Sequence, residues 1–120
     1  MSDRPRSVDH LLPLKPKVLH ILLALADGPR HGYSIMQEVA ARSDGQVRVW
    51  PAGLYGALRE LEDLDLIAES EKRPEEDDER RRYFALTPLG TRVLSGEVRR
   101  LEGIVGHARA SRALRKVGRA

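Results

Sequence analysis

The 120 residues contain no cysteine, which removes disulfides, thiolate metal sites and a cysteine nucleophile together and is compatible with a reducing compartment. Aromatic residues make up only 4% of the chain. A core must therefore be assembled mainly from Leu, Val, Ile and Ala, which favours helices packed on a small sheet over a β-sandwich. No apolar run approaches the ~20 residues of a membrane span, so no membrane association is expected. The start, MSDRPRSVDH, is charged and contains proline where a signal peptide would be apolar, and a cytoplasmic location is expected. Neither sign of charge dominates: Lys+Arg 21 stand against Asp+Glu 18, for a net charge of +3. The pI near 9.6 permits a polyanionic partner, but the distribution of charge decides more than its sum.

The signatures of an enzyme are missing as well. His10, His20, His31 and His107 are scattered singly, without the spacing of metal ligands. There is no GxSxG, no P-loop and no paired-carboxylate arrangement, and the acids from Glu75 to Glu79 form a loop. No catalysis, metal or cofactor is expected, and His31 reads as a turn or capping residue.

At this length the chain makes one domain with an appended helix and buries roughly two thirds of its unfolded surface. Residues 1–10 read as an arm, with order beginning near Leu11. From Pro16, PKVLHILLALADG predicts a first helix, with Pro at its start and Gly28 past its end. Its apolar rows, Val18-Leu22-Leu25 and Leu19-Leu23-Ala26, cover nearly all sides, as suits a helix buried by its own domain and by a second surface. After the turn DGPRHG, Ile35, Met36, Val39 and Ala40 predict a second helix, and Asp44-Gly45 a turn. QVRVW alternates as a short strand does, and Pro51 opens a third helix. In that helix Leu54, Leu58 and Leu61, joined by Ala57 and Leu64, form the core face, while Arg59, Glu60, Glu62 and Asp63 fill the other.

A strand then runs into SEKRPEEDDERRR, a solvated hairpin tip, and returns as RRRYFALTPLG. In the returning strand Tyr83, Ala85 and Thr87 should face one way and Arg82, Phe84 and Leu86 the other. Thr87-Pro88 starts a last helix running towards Val117, whose Leu94, Val98, Leu101, Val105 and Ala108 follow a coiled-coil-like spacing. Nothing else in the chain is long enough to cover that seam, so self-association is expected. Gly96, Gly103 and Gly106 each cost about 1 kcal/mol relative to Ala, which predicts a bend or fraying beyond Gly106.

HGYSIMQEV, PAGLYGALRELEDLDLIAE and RRRYFALTPLG, in this order and spacing, together resemble the PadR family of winged-helix transcriptional regulators over residues 14–100. The single long last helix is similar to the shorter branch of that family. The resemblance implies a mostly α fold with a β wing: a winged helix-turn-helix domain over 11–87 and a C-terminal dimerisation helix and basic tail over 88–120. It further implies a homodimeric repressor on a pseudo-palindromic double-stranded DNA operator. The third helix would enter the major groove, the wing touch the flanking backbone or minor groove, and the last helix dimerise together with the first. Some relatives take phenolic or lipophilic effectors near the dimer interface. Two features depart from the family pattern: Asp65 stands where relatives usually carry Gly, and the wing tip is acidic, so that contact should come from the wing base while the tip points away.

The expected DNA-binding residues are Tyr33, Ser34, Ala52, Gly53, Tyr55, Gly56, Arg59, Lys72, Arg73, Arg80, Arg81 and Arg82. Tyr55 can alternatively pack in the core, Arg59 can pair with Glu62 or Asp63, and Gly53 and Gly56 can simply be tolerated near a helix start. The expected dimer residues are Leu19, Leu22, Leu94, Val98, Leu101, Val105 and Ala108. Trp50, the single tryptophan, either packs in the core or lines an effector cavity. The basic residues Arg109, Arg112, Arg115, Lys116 and Arg119 are either a solvated tail or extra phosphate contacts. The rival to a DNA-binding protein is a protein-interaction module on the same scaffold, for which the acidic wing tip is the best argument.

Overall fold

The structure is a computed structural model and describes residues 8–118. The first seven residues of the expected arm and Arg119 of the basic tail lie outside the described residues. A single 3-10 turn, Asp9–Leu11, precedes helix α1, Pro16–Ala24, and Val8, Leu11 and Leu12 already pack against the core. The elements that follow are β1 (Arg30–His31), α2 (Gly32–Arg42), α3 (Pro51–Asp63), β2 (Ile67–Ser70), β3 (Tyr83–Leu86), α4 (Pro88–Ala110) and α5 (Arg112–Gly118). The three strands form one antiparallel sheet in the order β1-β3-β2. This is a winged helix-turn-helix fold with a long C-terminal helix, mostly α, as the sequence pattern predicts.

Local chemistry sets the boundaries. Both α1 and α3 begin on proline, whose fixed φ and missing N–H suit a first helical position. The ends of α2 and α3 are Schellman motifs. At α3, Asp65 takes the left-handed conformation (φ 61), the Leu66 amide donates to the Leu61 carbonyl at 2.9 Å, and the Asp65 amide donates to Glu62 at 2.9 Å. Asp44 (φ 51) plays the same part after α2, where the Gly45 amide donates to the Ala40 carbonyl at 2.7 Å. Asp thus serves where glycine is the usual choice, since its short polar side chain tolerates this region better than most.

The core sits between the three helices and the sheet. Ile21, Leu22 and Leu25 of α1 and its end meet Ile35 and Val39 of α2, Leu54, Leu58 and Leu61 of α3, and Phe84, Leu66 and Ile67 from the wing base. The start of α4 closes it with Val93 and Leu94. Glu97, one turn further, is 1% exposed. Its carboxylate accepts from the Leu14 amide at 3.1 Å and from Arg100 at 2.7 and 2.9 Å. Arg100 and the Leu14 amide hold this carboxyl below its usual range. A paired buried charge of this kind fastens the segment before α1 to α4.

Several expectations are corrected. QVRVW is not a strand: the Ser43 hydroxyl closes this loop by donating to the Val39 and Val47 carbonyls and accepting from the Val47 amide, so the backbone has no strand partner. The third strand is instead Arg30–His31, paired with Phe84 and Tyr83. Leu64 is exposed, because the chain turns out of α3 at Asp65 before Leu64 can reach the core. Tyr83 and Phe84 are both buried rather than alternating, since the folded wing covers Tyr83. The expected interruption of the last helix beyond Gly106 falls at Ser111. The Ser111 hydroxyl donates to the Ala108 carbonyl at 2.6 Å and accepts from the Leu114 amide at 3.4 Å, ending α4 and starting α5.

The α4 start is the tightest point of the fold. Thr87 caps it: its hydroxyl accepts from the Gly90 amide at 2.9 Å and donates to the Asp65 carbonyl at 2.6 Å. A Cβ on Gly90 would lie 1.9 Å from the Leu66 carbonyl oxygen. No side chain fits there without displacing the backbone that leads into β2. Gly90→Ala should therefore destabilise the protein by about 3 kcal/mol or more, the severe end of overpacking. Chemical denaturation checks this, with Gly103→Ala, which meets nothing within 4 Å, as the control expected to be neutral or stabilising.

Candidate nucleic-acid interface

Three separated stretches of sequence meet at the start of α3. Pro51, Ala52 and Gly53 are exposed at its first turn, and Tyr55 follows with its ring laid over the first turn of α2. A Cβ on Gly32 would stand 2.8 Å from the Tyr55 hydroxyl, so glycine at that position makes room for the ring. His31, Gly32, Tyr33, Tyr55, Arg80, Arg81 and Arg82 line one shallow groove. The strand pairing explains the meeting: β1 lies against β3, which carries the arginines preceding Tyr83 beside the start of α2.

His31 caps α2, its Nδ1 accepting from the Ser34 amide at 3.3 Å. The ring stands edge-on to Tyr83 at 5.3 Å between centroids, and Nε2 lies 3.4 Å from the Arg81 guanidinium. The Ser34 hydroxyl accepts from Arg30 at 2.8 Å, which occupies one of the expected DNA-contact groups.

The wing is more tightly folded than a solvated tip. Asp77 does not point away: its carboxylate accepts from the Tyr83 hydroxyl and pairs with Arg81 at 2.9 Å. The Tyr83 hydroxyl, the neighbouring amide of Asp78 and Arg81 hold the Asp77 carboxyl below its usual range. Asp78 pairs with Arg80 at 3.2 Å and is lowered by it. Arg73, expected at the duplex, instead donates to the carbonyls of Asp78, Glu79 and Arg81 and lies over the Tyr83 ring, bracing the hairpin. Arg82 pairs with Glu69 at 2.8 Å and lies over Phe84. Among the described residues, no hydrogen bond or ion pair engages the side chains of Arg59 or Lys72, and Arg59 does not pair with Glu62 or Asp63.

The remaining expected residues divide. Gly56 is half-buried. Trp50 is neither core nor cavity lining in a closed sense: it is 68% exposed on an open shelf with Tyr33, Met36, Ala40 and Val49. Leu22 is fully enclosed and Leu94 nearly so by the chain's own core, which leaves neither any surface for a second copy. Leu19, Val98, Leu101 and Val105 do line one open apolar strip, together with Leu23, and Ala108 follows on the same helix. Arg109, Arg112, Arg115 and Lys116 are exposed on the end of α4 and on α5. Lys17 went unnoticed in the sequence. Its ammonium lies 3.7 Å from where a Gly53 Cβ would be, beside the α3 start, and its position in α1 gives no signal of that proximity.

Among the described residues no cluster of three His, Cys, Asp or Glu can hold a metal ion, and no helix is long and apolar enough to cross a membrane. An open-ended α3 beside a wing defines a winged helix-turn-helix regulator scaffold. The chain belongs to the transcriptional regulator PadR-like family, whose model matches residues 21–96. It is 41% identical over 86 residues to an uncharacterized 37.1 kDa protein in transposon TN4556 of Streptomyces fradiae, covering 72% of this chain and 23% of that protein. The chain thus spans less than a quarter of that relative's length. A solved transcriptional regulator from Clostridium thermocellum is similar with a TM-score of 0.63 at 23% identity, covering 86% of this chain and 94% of the other. Bacillus subtilis PadR, solved in complex with operator DNA, is similar with a TM-score of 0.59 at 21% identity, covering 72% of this chain and 48% of the other. At these identities the two structures show the shared fold.

The capping role of His31 should make the fold pH-sensitive. Burial first, then Arg81, lowers its pKa below the ordinary 6.5, with Asp77 opposing. The unfolded chain therefore binds a proton more readily than the folded one, and a protonated Nδ1 cannot accept from Ser34. Stability from this group is fully present above 6.5 and is lost as pH falls from there through the lowered folded value. Between about pH 7 and 5 the wild type should lose more melting temperature than His31→Asn, which keeps a capping oxygen without titrating. Equal losses in both proteins would remove His31 as the cause.

Proposed function

We propose that this protein is a homodimeric repressor that binds a pseudo-palindromic operator in double-stranded DNA. The groove shared by Tyr33, Tyr55 and the arginines from Arg80 to Arg82 carries the proposal, because it joins the start of α3 to the wing along one surface. The α3 start enters the major groove, with Ala52 and Gly53 allowing close approach and Tyr55 and Arg59 reaching the duplex. Lys72 and the arginines of the wing base lie on flanking phosphate. The operator complex of the Bacillus subtilis relative supports this placement on the same fold.

The strip formed by Leu19, Leu23, Val98, Leu101 and Val105 supports dimerisation. Further along, Ile104, Leu114 and Val117 are also exposed and extend the apolar surface of the C-terminal helices. A second copy on α1 and α4 covers it and sets two α3 helices about 34 Å apart, one DNA turn. A small lipophilic or phenolic effector would enter the same strip, coupling its binding to the angle between the two copies.

Mobility shift with genomic fragments flanking the protein's own coding region tests DNA binding. One fragment should be retained over the others, and Tyr55→Ala or Arg59→Ala should weaken that retention. Affinity should fall with salt at about 0.9 log units per log unit for each neutralised phosphate, and Arg59→Ala should reduce the slope by about one such step. Equal affinity for operator and random DNA would refute sequence specificity. Leu101→Glu should sediment as a monomer, and a mutant that remains dimeric would place the interface elsewhere.

A further inference from the structure

Aromatic residues are scarce in this chain, one Trp, one Phe and three Tyr, and their placement is uneven. Phe84 and Tyr83 are buried, whereas Tyr33, Trp50 and Tyr55 are 60%, 68% and 50% exposed. All three exposed rings surround the first turn of α3. Tyr33 lines both the groove it shares with Tyr55 and the apolar shelf it shares with Trp50, Met36 and Val49, so the two surfaces are continuous.

Trp50 occupies the N-cap position of α3 and makes no side-chain cap. His31 and Thr87 do cap α2 and α4 in this same chain. Ser, Thr or Asp at the cap position would stabilise α3 by about 1 kcal/mol, and a tryptophan in contact with water adds no core. Its surroundings are cationic or neutral: Arg48 lies on the shelf and Lys17 beside Gly53, while the first acid of α3 is Glu60, nearly three turns away.

We infer that Trp50, backed by Tyr33 and Met36, is a specificity-determining residue that reads the 5-methyl groups of thymine in the major groove. The inference rests on the DNA-binding role proposed above. The shelf does carry donors on Tyr33, Gln37 and Arg48, but Met36, Ala40, Val49, Trp50 and Pro51 make most of its lining apolar, which suits a base edge better than a phosphate. What the major groove presents to an apolar surface is the thymine methyl, the one apolar group on its floor that distinguishes base pairs. The cationic rim is complementary to a duplex.

Duplexes selected from a randomised pool by the full-length wild type provide the probe, and replacing each thymine by uracil removes a methyl and nothing else. Uracil at one or two positions in each half-site should weaken wild-type binding about fourfold per methyl, the equivalent of the ~0.8 kcal/mol of one buried carbon group. Trp50→Ala should bind the thymine duplex more weakly and show no further loss with uracil, while Trp50→Phe should keep part of the discrimination. Because Trp50 is the only tryptophan, its fluorescence should change when wild-type protein is saturated with the selected duplex. Uracil without effect at every thymine, a selected half-site without thymine, unchanged fluorescence at saturation, or a Trp50→Ala loss that leaves the uracil effect intact would each overturn the inference while DNA binding stands. Failure to enrich any duplex would overturn the DNA-binding role itself.

Discussion

The rest of the structure depends on the contact between the first turn of α4 and the backbone leaving α3. The Gly90 position lies so close to the Leu66 carbonyl that only hydrogen fits, and Thr87 joins both sides by accepting from Gly90 and donating to Asp65. The Thr87 amide adds a bond to the Leu66 carbonyl at 3.1 Å. Three elements converge on these few atoms. Asp65, left-handed, ends α3; Leu66 starts the wing; Thr87 ends the wing and starts α4. The direction of α3 is thereby fixed against that of α4. In the proposed dimer, the spacing of the two recognition helices follows from this joint and from the interface, because little flexible chain lies between them.

The wing has its own internal balance of charge. Arg80, Arg81 and Arg82 each hold a carboxylate, and Arg73 holds three carbonyls of the hairpin. The acids of the tip therefore order the basic segment instead of merely diluting its charge. Exposed pairs of this sort contribute between roughly 0 and 1 kcal/mol each. Exchange of a carboxylate for a phosphate is accordingly cheap at Arg80, Arg81 and Arg82, whereas moving Arg73 to a phosphate would cost the wing loop its contacts to three carbonyls. Arg73 thus braces the wing while Arg80, Arg81 and Arg82 can exchange partners, a distinction that charge counting cannot make.

Much of this was legible in the sequence because it rests on local rules. The spacing of Leu54, Leu58 and Leu61 marked the buried face of α3, and Thr87-Pro88 marked the start of α4. Tolerance of the left-handed region explained how Asp65 could replace glycine. What escaped depends on tertiary partners. A two-residue strand such as Arg30–His31 has no period to detect, and its pairing exists only because β3 passes beside it. Burial of Tyr83 depends on Asp77 folding back over a segment that contains no apolar residue. Leu22 and Leu94 fitted the expected dimer seam equally well by spacing, but helix periodicity cannot say which of two apolar surfaces covers a given side chain. For Trp50, the general tendency of a large aromatic to be buried pointed inwards, and only the open shelf shows the opposite.

The second half of α4 lacks internal support. From Glu102 to His107 every residue is exposed, the glycines at 103 and 106 meet no neighbour, and Ile104 and Val105 face water. Two glycines cost about 2 kcal/mol relative to Ala in a helix interior, and a helical segment of this length is marginal in water without packing. Capping by Ser111 only partly offsets that. In the proposed dimer, the partner's α1 and α4 would supply the contacts that this segment lacks within the chain. In that dimer, ordering of this segment and association would be linked in one equilibrium, so that whatever favoured the helix would favour the dimer. Gly106 borders the apolar strip, and in the proposed dimer its lack of a side chain would let a second copy approach closely.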